Sequence, residues 1–180
     1  MLVSNDTELL TKARFLASQA KDPAPYYQHS MVGYNYRLSN VLAGIGKAQL
    51  EVIDERVAAR RAVFGRYAEE LNSIPAIEFQ PELEETFSNR WLSVMTIDPA
   101  QSRLTPHEIM LELEEMNIET RRVWKPLHLQ ELFKDCQFFS QEEKPVSERL
   151  FEQGLCLPSG SNMTVAQQEY VIEKLKSSFD

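Results

Sequence analysis

Cysteine is scarce in this chain: Cys136 and Cys156 are the only two in 180 residues. They make no CxxC pair, so a cysteine-based metal site is not expected. Free thiols in a reducing cytoplasm are the expectation instead. Histidine is equally thin. His29, His107 and His128 lie far apart, and no HExxH motif exists. The six glycines assemble neither a phosphate-cradling loop nor a GxSxG turn. No apolar run approaches the ~20 residues needed to span a bilayer. The opening Met1-Leu2-Val3-Ser4-Asn5-Asp6 lacks the basic and apolar regions of a signal peptide. Basic residues are outnumbered, 19 Lys and Arg against 27 Asp and Glu, and the net charge of −8 argues against a nucleic-acid binder. No internal repeat or low-complexity tract is present. What remains, 43% apolar and 26% charged residues, suits a soluble globular chain of one domain, or one domain with an extension.

One stretch concentrates the chemistry. Gly33-Tyr34-Asn35-Tyr36-Arg37-Leu38-Ser39-Asn40 sets two phenols, an amide and a guanidinium just ahead of a helix start. An amide donates and accepts, and a guanidinium is a rigid fork for phosphate or carboxylate. A helix N-terminus adds a favourable dipole for an anion. Against this stands a turn whose polar groups satisfy one another and cap the helix through Ser39 or Asn40. The residues alone weigh the two readings evenly.

In chain order, Met1–Val3 reads as a short strand and Asn5 or Asp6 as the cap of a helix reaching Gln19, with Leu9, Leu10, Ala13, Leu16 and Ala17 on one face. Pro23 and Pro25 make 20–37 a loop, which carries Tyr26, Tyr27, Tyr34, Tyr36 and His29. Residues 39–72 read as one long helix, kinked near Asp54. Val41 to Gly46 is apolar nearly all round, which predicts burial on several sides, and Gly44 and Gly46 point to a close backbone approach. From residue 77 the pattern gives β-β-α-β-α-β-α: strands over Ile77–Phe79, Trp91–Ile97, Ile118–Arg121 and Leu155–Leu157, with helices starting at Thr105, Ser147 and Thr164. This is an α/β (α+β) reading, a mainly antiparallel sheet with helices mainly on one face, preceded by a long linking helix.

No self-contained catalytic constellation appears. His107 sits in the first turn of an acidic helix and reads as surface. His128, within Trp124-Lys125-Pro126-Leu127-His128, reads equally as a ligand contact or a structural hydrogen bond. Nothing in the sequence activates Lys125 as a nucleophile. Pro158-Ser159-Gly160-Ser161 reads as a turn whose backbone could also meet a ligand.

Three segments together resemble one family. Residues 33–40 with Ala43-Gly44-Ile45-Gly46-Lys47-Ala48-Gln49-Leu50 look like a hallmark of the pyridoxal-phosphate-dependent nucleotide-sugar aminotransferases of the DegT/DnrJ/EryC1/StrS family. Arg122-Val123-Trp124-Lys125-Pro126-Leu127-His128 and the stretch from Arg149 to Ser161 resemble the pilin-glycosylation and bacillosamine-type 4-aminotransferase branch. The similarity extends over the whole chain.

The resemblance implies an aspartate-aminotransferase-like (fold type I) homodimer. It divides the chain into a remnant of the large cofactor-binding domain over 1–38, a linking helix over 39–75 and the small C-terminal domain over 76–180. It implies pyridoxal 5′-phosphate as cofactor, with Asn35 and Arg37 at its phosphate, and Tyr34, Tyr36 and His128 near the sugar nucleotide. The implied reaction moves an amino group from glutamate to a 4-keto-6-deoxy nucleotide sugar, in the cytoplasm, for surface polysaccharide or glycan synthesis. The family's Schiff-base lysine lies upstream of a segment like Met1-Leu2-Val3. The chain therefore reads as a C-terminal fragment, inactive alone, with no catalytic residue or metal site of its own. Residues 77–180 are expected to be the better-ordered part. A contrasting expectation is a non-catalytic remnant that dimerises through the apolar helix at 41–53.

Overall fold

The structure, a computed structural model, describes residues 2–179. The chain divides into two compact units, Met1–Val52 and Ile53–Asp180.

The first unit holds two helices, α1 (Thr7–Ala17) and α2 (Asn40–Glu51), joined by a long loop. Asp6 starts α1: its Oδ1 accepts from the backbone N–H groups of Glu8 and Leu9, both at 3.0 Å. Ser39 starts α2, its Oγ accepting from Leu42 N–H. The strand expected at the beginning is absent from Leu2 and Val3, and Met1 lies outside the described residues. Within the single chain α2 stays open. None of its residues is buried, and Val41, Leu42, Ile45 and Leu50 are between 55% and 72% exposed. A Cβ placed on Gly44 or Gly46 would meet nothing within 4 Å, so no close backbone approach explains them within this chain. Ala20 is the one buried apolar residue among those described in this unit; every other lies in the second.

The helix read as continuous from 39 to 72 is interrupted at Val52, two residues before the kink expected near Asp54. α3 (Ile53–Leu71) opens the second unit. There follow β1 (Ile77–Phe79), β2 (Ser93–Ile97), α4 (Pro106–Glu115), β3 (Arg121–Arg122), α5 (Val146–Gln153), β4 (Gly154–Leu157) and α6 (Val165–Ser177). The predicted order of strands and helices is thus observed. The sheet runs β1-β2-β4-β3 and every pairing is antiparallel. Met95 pairs with Leu155, and Ser93 with Leu157, so one face of the two central strands carries Met95, Ile97, Leu155 and Leu157 into the core. Val63, Tyr67 and Leu71 of α3, Ile109 and Leu113 of α4, and Val171, Ile172 and Leu175 of α6 close over that face. Truncating one such Leu to Ala would cost ~2–5 kcal/mol.

The helix ends explain where strands begin. Thr105 and Glu108 form a capping box on α4, and Thr164 with Gln167 does the same on α6. α4 ends in a Schellman motif: Ile118 N–H donates to Leu113 O and Asn117 N–H to Glu114 O, both at 2.9 Å, with Asn117 left-handed at φ 59°. This consumes Ile118, so the strand expected over 118–121 shrinks to Arg121–Arg122. The Arg122 guanidinium then caps α5, donating to the carbonyls of Phe151 and Glu152 at 2.5 and 2.9 Å.

Two sites have measurable consequences. A Cβ on Gly154 would lie 2.3 Å from Leu150 O and 2.3 Å from Val123 Cγ2. Gly154→Ala is therefore expected to destabilise the second unit by ~1–3 kcal/mol of overpacking, and an unchanged urea midpoint would show that the sheet yields at no cost. The second site is Glu82, which draws in the 81–92 loop. It accepts two bonds from Arg61, at 2.8 and 3.0 Å, and one from Ser88 N–H, with Arg90 3.7 Å away. The Arg61 bond, then the Ser88 bond, hold its carboxyl down at about 2. A depressed carboxylate stabilises fully above its unfolded value, about 4.3, and loses that contribution as pH falls through its folded value. Amide protection of the 81–92 loop is expected to fade between those limits. Glu82→Gln should loosen the loop at neutral pH as well, and a loop equally protected at both extremes would contradict the assignment.

Candidate functional site

The site begins with the carbonyls that α1 leaves unpaired. The last turn of any helix has acceptors without intrahelical donors. Here Phe15 O takes the N–H groups of Ser18 and Ala20, at 3.1 and 2.9 Å. Leu16 O and Ala17 O instead take the N–H groups of Tyr34 and Tyr36, each at 3.0 Å, and Gln19 N–H donates to Tyr34 O, again at 3.0 Å. Ser18 and Asn35 face each other as an antiparallel bridge. The returning loop is thus zipped onto the end of α1.

Gln19 and Ala20 make this possible by adopting left-handed backbone, φ 66° and 50°. Neither is glycine, so each costs ~1–3 kcal/mol. Gly33 lies against the hook so closely that an added Cβ would sit 2.4 Å from Ala20 N. A side chain at 33 would push the segment off the helix.

With its backbone so engaged, the segment turns its side chains outward. Tyr34, Asn35, Tyr36 and Arg37 are all exposed. The two phenol rings stack, centroids 5.4 Å apart at 19°. Among the described residues, neither the Asn35 amide nor the Arg37 guanidinium has a hydrogen-bond or ion-pair partner. Of the two sequence readings, the self-satisfied turn therefore holds for the backbone and for Ser39, and not for the side chains. The segment also divides. Tyr34 and Asn35 line an open cleft of about 850 Å³ with Gln19, Tyr27, His29 and Ser30. Tyr36 and Arg37 line a separate one with Arg14, Leu2 and Val3. Asn35 and Arg37 are two residues apart and face different clefts.

His29 carries a signal that the sequence did not give. Its Nδ1 lies 2.9 Å from Gln19 O. A carbonyl only accepts, so Nδ1 bears the proton and Nε2 is the ring's free nitrogen. Lys21 Nζ sits 4.3 Å above the Tyr27 ring beside the same cleft.

His128 belongs to the second unit and is held by its neighbours. Its Nε2 is 2.8 Å from Glu148 Oε1, its ring stacks on Phe138 at 3.7 Å, and its side chain is 15% exposed. Of its two sequence readings this is the structural one, for the ring nitrogen Nε2. The Pro158–Ser161 turn also serves the fold: Ser159 Oγ accepts from Ser93 N–H and donates to Leu157 O, both at 2.7 Å, while Arg60 donates to Ser159 O. Cys156 is buried, which raises its thiol, and Cys136 is exposed; neither is bonded. No group of His, Cys, Asp and Glu fit to hold a metal ion occurs among the described residues, and no helix there is long and apolar enough to cross a membrane.

Pyridoxal phosphate is the cofactor the resemblance implies, and the Asn35 cleft fits one end of it. A free amide and phenol hydroxyl suit a phosphate. No lysine or carboxylate lines that cleft, so nothing there suits the aldehyde or the pyridine nitrogen.

Comparison with known proteins shows a family. Residues 1–176 match the model of the DegT/DnrJ/EryC1/StrS aminotransferase family. The chain is 54% identical over 180 residues to EpsN of Bacillus subtilis (strain 168), whose name provisionally assigns it as a pyridoxal phosphate-dependent aminotransferase; the match covers 99% of this chain and 46% of EpsN. It is 31% identical to a GDP-perosamine synthase of Caulobacter vibrioides, covering 97% of this chain and 46% of that protein. Among solved structures, the aminotransferase TlmJ of Streptoalloteichus hindustanus superimposes with a TM-score of 0.79 at 26% identity, over 97% of this chain and 45% of TlmJ. Helicobacter pylori PseC, at 18% identity and a TM-score of 0.81, shares the fold. The chain spans about half the length of the curated relatives it matches. Across that span it belongs to the DegT/DnrJ/EryC1/StrS aminotransferase family.

Proposed function

We propose that this chain is the C-terminal part of a pyridoxal-phosphate-dependent sugar aminotransferase, and that its first unit presents groups to the cofactor phosphate and the sugar nucleotide. The observation that carries this is the Tyr34–Tyr36 segment, zipped by its backbone to α1 with its amide and phenols left free. When bound, the cofactor supplies the electron sink for moving an amino group. This chain's residues bind and orient. Asn35 donates to phosphate, Arg37 attracts anionic groups from the neighbouring cleft, and the stacked Tyr34–Tyr36 pair offers a flat face and two hydroxyls to the nucleotide sugar. Since Glu148 occupies His128 Nε2, we place His128 at the margin of the substrate site, where it orders the 125–140 loop. The family, together with relatives named for perosamine and for spore coat polysaccharide synthesis, favours glutamate as donor and a 4-keto-6-deoxy nucleotide sugar as acceptor, in the cytoplasm. The three-part division at 38 and 75 belongs to the same proposal.

The Schiff-base lysine is the group this reading assigns elsewhere, because no lysine lines the Asn35 cleft. Purified chain mixed with pyridoxal phosphate is expected to give no new absorbance band that borohydride fixes, and no glutamate-dependent amination of a keto-sugar nucleotide. A fixed band accompanied by turnover would refute this.

The second reading, an interaction module, is favoured by one observation: the bare apolar side of α2. A helix exposing Val41, Leu42, Ile45 and Leu50 gains ~25 cal/mol for each Å² of apolar surface it covers. We infer that the chain forms a homodimer through α2. Leu42→Glu with Ile45→Glu is expected to shift light scattering toward monomer and to leave the unfolding of the second unit unchanged. An unmodified chain that is monomeric at tens of micromolar would sink the dimer.

A further inference from the structure

The end of α1 poses an electrostatic problem for any anion bound beside Asn35. A helix C-terminus carries about half a negative charge, and the Asn35 cleft is built on that end, with Gln19 in its wall. The guanidinium that would offset this, Arg37, lines the other cleft. Inside the Asn35 cleft the group able to reverse the sign is His29. Its Nδ1–H is spent on Gln19 O at 2.9 Å. That bond is compatible with two states, the neutral Nδ1–H tautomer and the imidazolium, and it excludes the neutral Nε2–H tautomer. In the first state Nε2 can only accept. In the second it donates, while Nδ1–H keeps its bond to Gln19 O.

The strained hook supports this assignment. Gln19 at φ 66° places its N–H on Tyr34 and its carbonyl on His29 at once. One residue in unfavourable backbone thus fixes both the segment bearing Asn35 and the imidazole beside it. Strain held at such a point motivates the proposal that follows. We propose that His29 is the proton-linked anion-binding residue of this cleft: anchored through Nδ1–H on Gln19, its imidazolium donates from Nε2 to a phosphate-type oxyanion shared with Asn35. This rests on the reading of Asn35 given above and adds a group to it. The other charged or titratable side chains around the cleft are Lys21 over the Tyr27 ring, Asp22, whose Oδ1 accepts from Ser30, and the phenols of Tyr27 and Tyr34. Histidine is the type among them that ordinarily changes charge between pH 5 and 8.

Sulfate is the probe for the pH dependence, because, unlike phosphate, it does not titrate in that window. Backbone amide NMR of the full chain follows sulfate binding at residues 29–35, at constant ionic strength. Wild type is expected to bind several-fold more tightly at about pH 5.5 than at about pH 8, and His29→Gln, which keeps a neutral donor, to lose that difference. Long-range nitrogen–proton correlations on the His29 ring in wild type should show Nδ1–H at high pH and a shift at Nε2 on adding sulfate. This keeps the test open even if the variant folds poorly. An Nε2–H tautomer, or equal sulfate affinity at both pH values with Asn35 still responding, would overturn the role of His29 and leave that of Asn35 standing. No response anywhere in 29–35 would overturn both. Competition identifies the natural source of the oxyanion. Displacement of sulfate by pyridoxamine 5′-phosphate assigns the site to the cofactor, and displacement by GDP assigns it to the nucleotide. Displacement by neither removes the assignment.

Discussion

Everything the first unit offers to a ligand depends on how α1 finishes. A helix must find donors for its last carbonyls, and within one chain α4 and α1 solve this in two ways. α4 completes a Schellman motif from its own continuation, with Asn117 left-handed and both closing bonds made locally. α1 makes only the longer of those bonds, from Ala20 to Phe15. The shorter one is replaced: Leu16 O receives Tyr34 N–H, and Gln19 N–H goes to Tyr34 O. A local cap has become a non-local one, and the segment that supplies it is the one bearing Asn35. Each such bond nets ~0.5–1.5 kcal/mol, so the group as a whole is comparable to the backbone strain it must offset.

This also explains what could be read from the sequence. The boxes at Thr105 and Thr164 are written in four consecutive residues each, and the sheet strands in alternation over a few more; both are local and were legible. The Schellman end of α4 lacks glycine, so Ile118 reads as the start of a strand when it is the end of a cap. The hook of α1 is harder still. Ser18-Gln19-Ala20-Lys21 carries no residue that favours left-handed backbone, and its partners lie fifteen positions away. The outward chemistry of 33–37 was visible as residue types. Its division into two clefts, with His29 beside Asn35 and Arg37 apart, follows only from the zipped backbone. For His128, the sequence left a ligand contact and a structural bond open, and Glu148 and Phe138 close around the ring. The apolar run of α2 reads as a demand for burial on several sides, and within the single chain none of its residues is buried.

The second unit shows charge used for closure. Arg122 spends its guanidinium on the carbonyls at the end of α5, and Glu82 is approached by Arg61 and Arg90 together. Arg90, 7% exposed, also lies 3.8 Å over the Phe64 ring and donates to Gln80 O. A buried guanidinium is tolerable when its donors are filled and a carboxylate is close. These residues fasten loops to a core that hydrophobic burial already holds, so they adjust edges and not the fold.

The first unit has no such core, and this bears on what a ligand does to it. With Ala20 the single buried apolar residue among those described in it, its order rests on backbone hydrogen bonds and two strained dihedrals, which places it at the low-stability end of the molecule. Anything that binds only the zipped arrangement stabilises it in proportion to RT ln(1 + [L]/Kd), roughly 2.7 kcal/mol at a hundred times Kd. That is as large as the strain at Gln19 and Ala20 together at the lower end of its range. On the proposed role of Asn35, an anion held there would therefore strengthen the hydrogen bonds that position it. Under that proposal, recognition and local folding of 18–36 would be one equilibrium, and a substitution at Gly33, whose added Cβ would meet Ala20 N at 2.4 Å, would weaken binding by unzipping the segment that offers it.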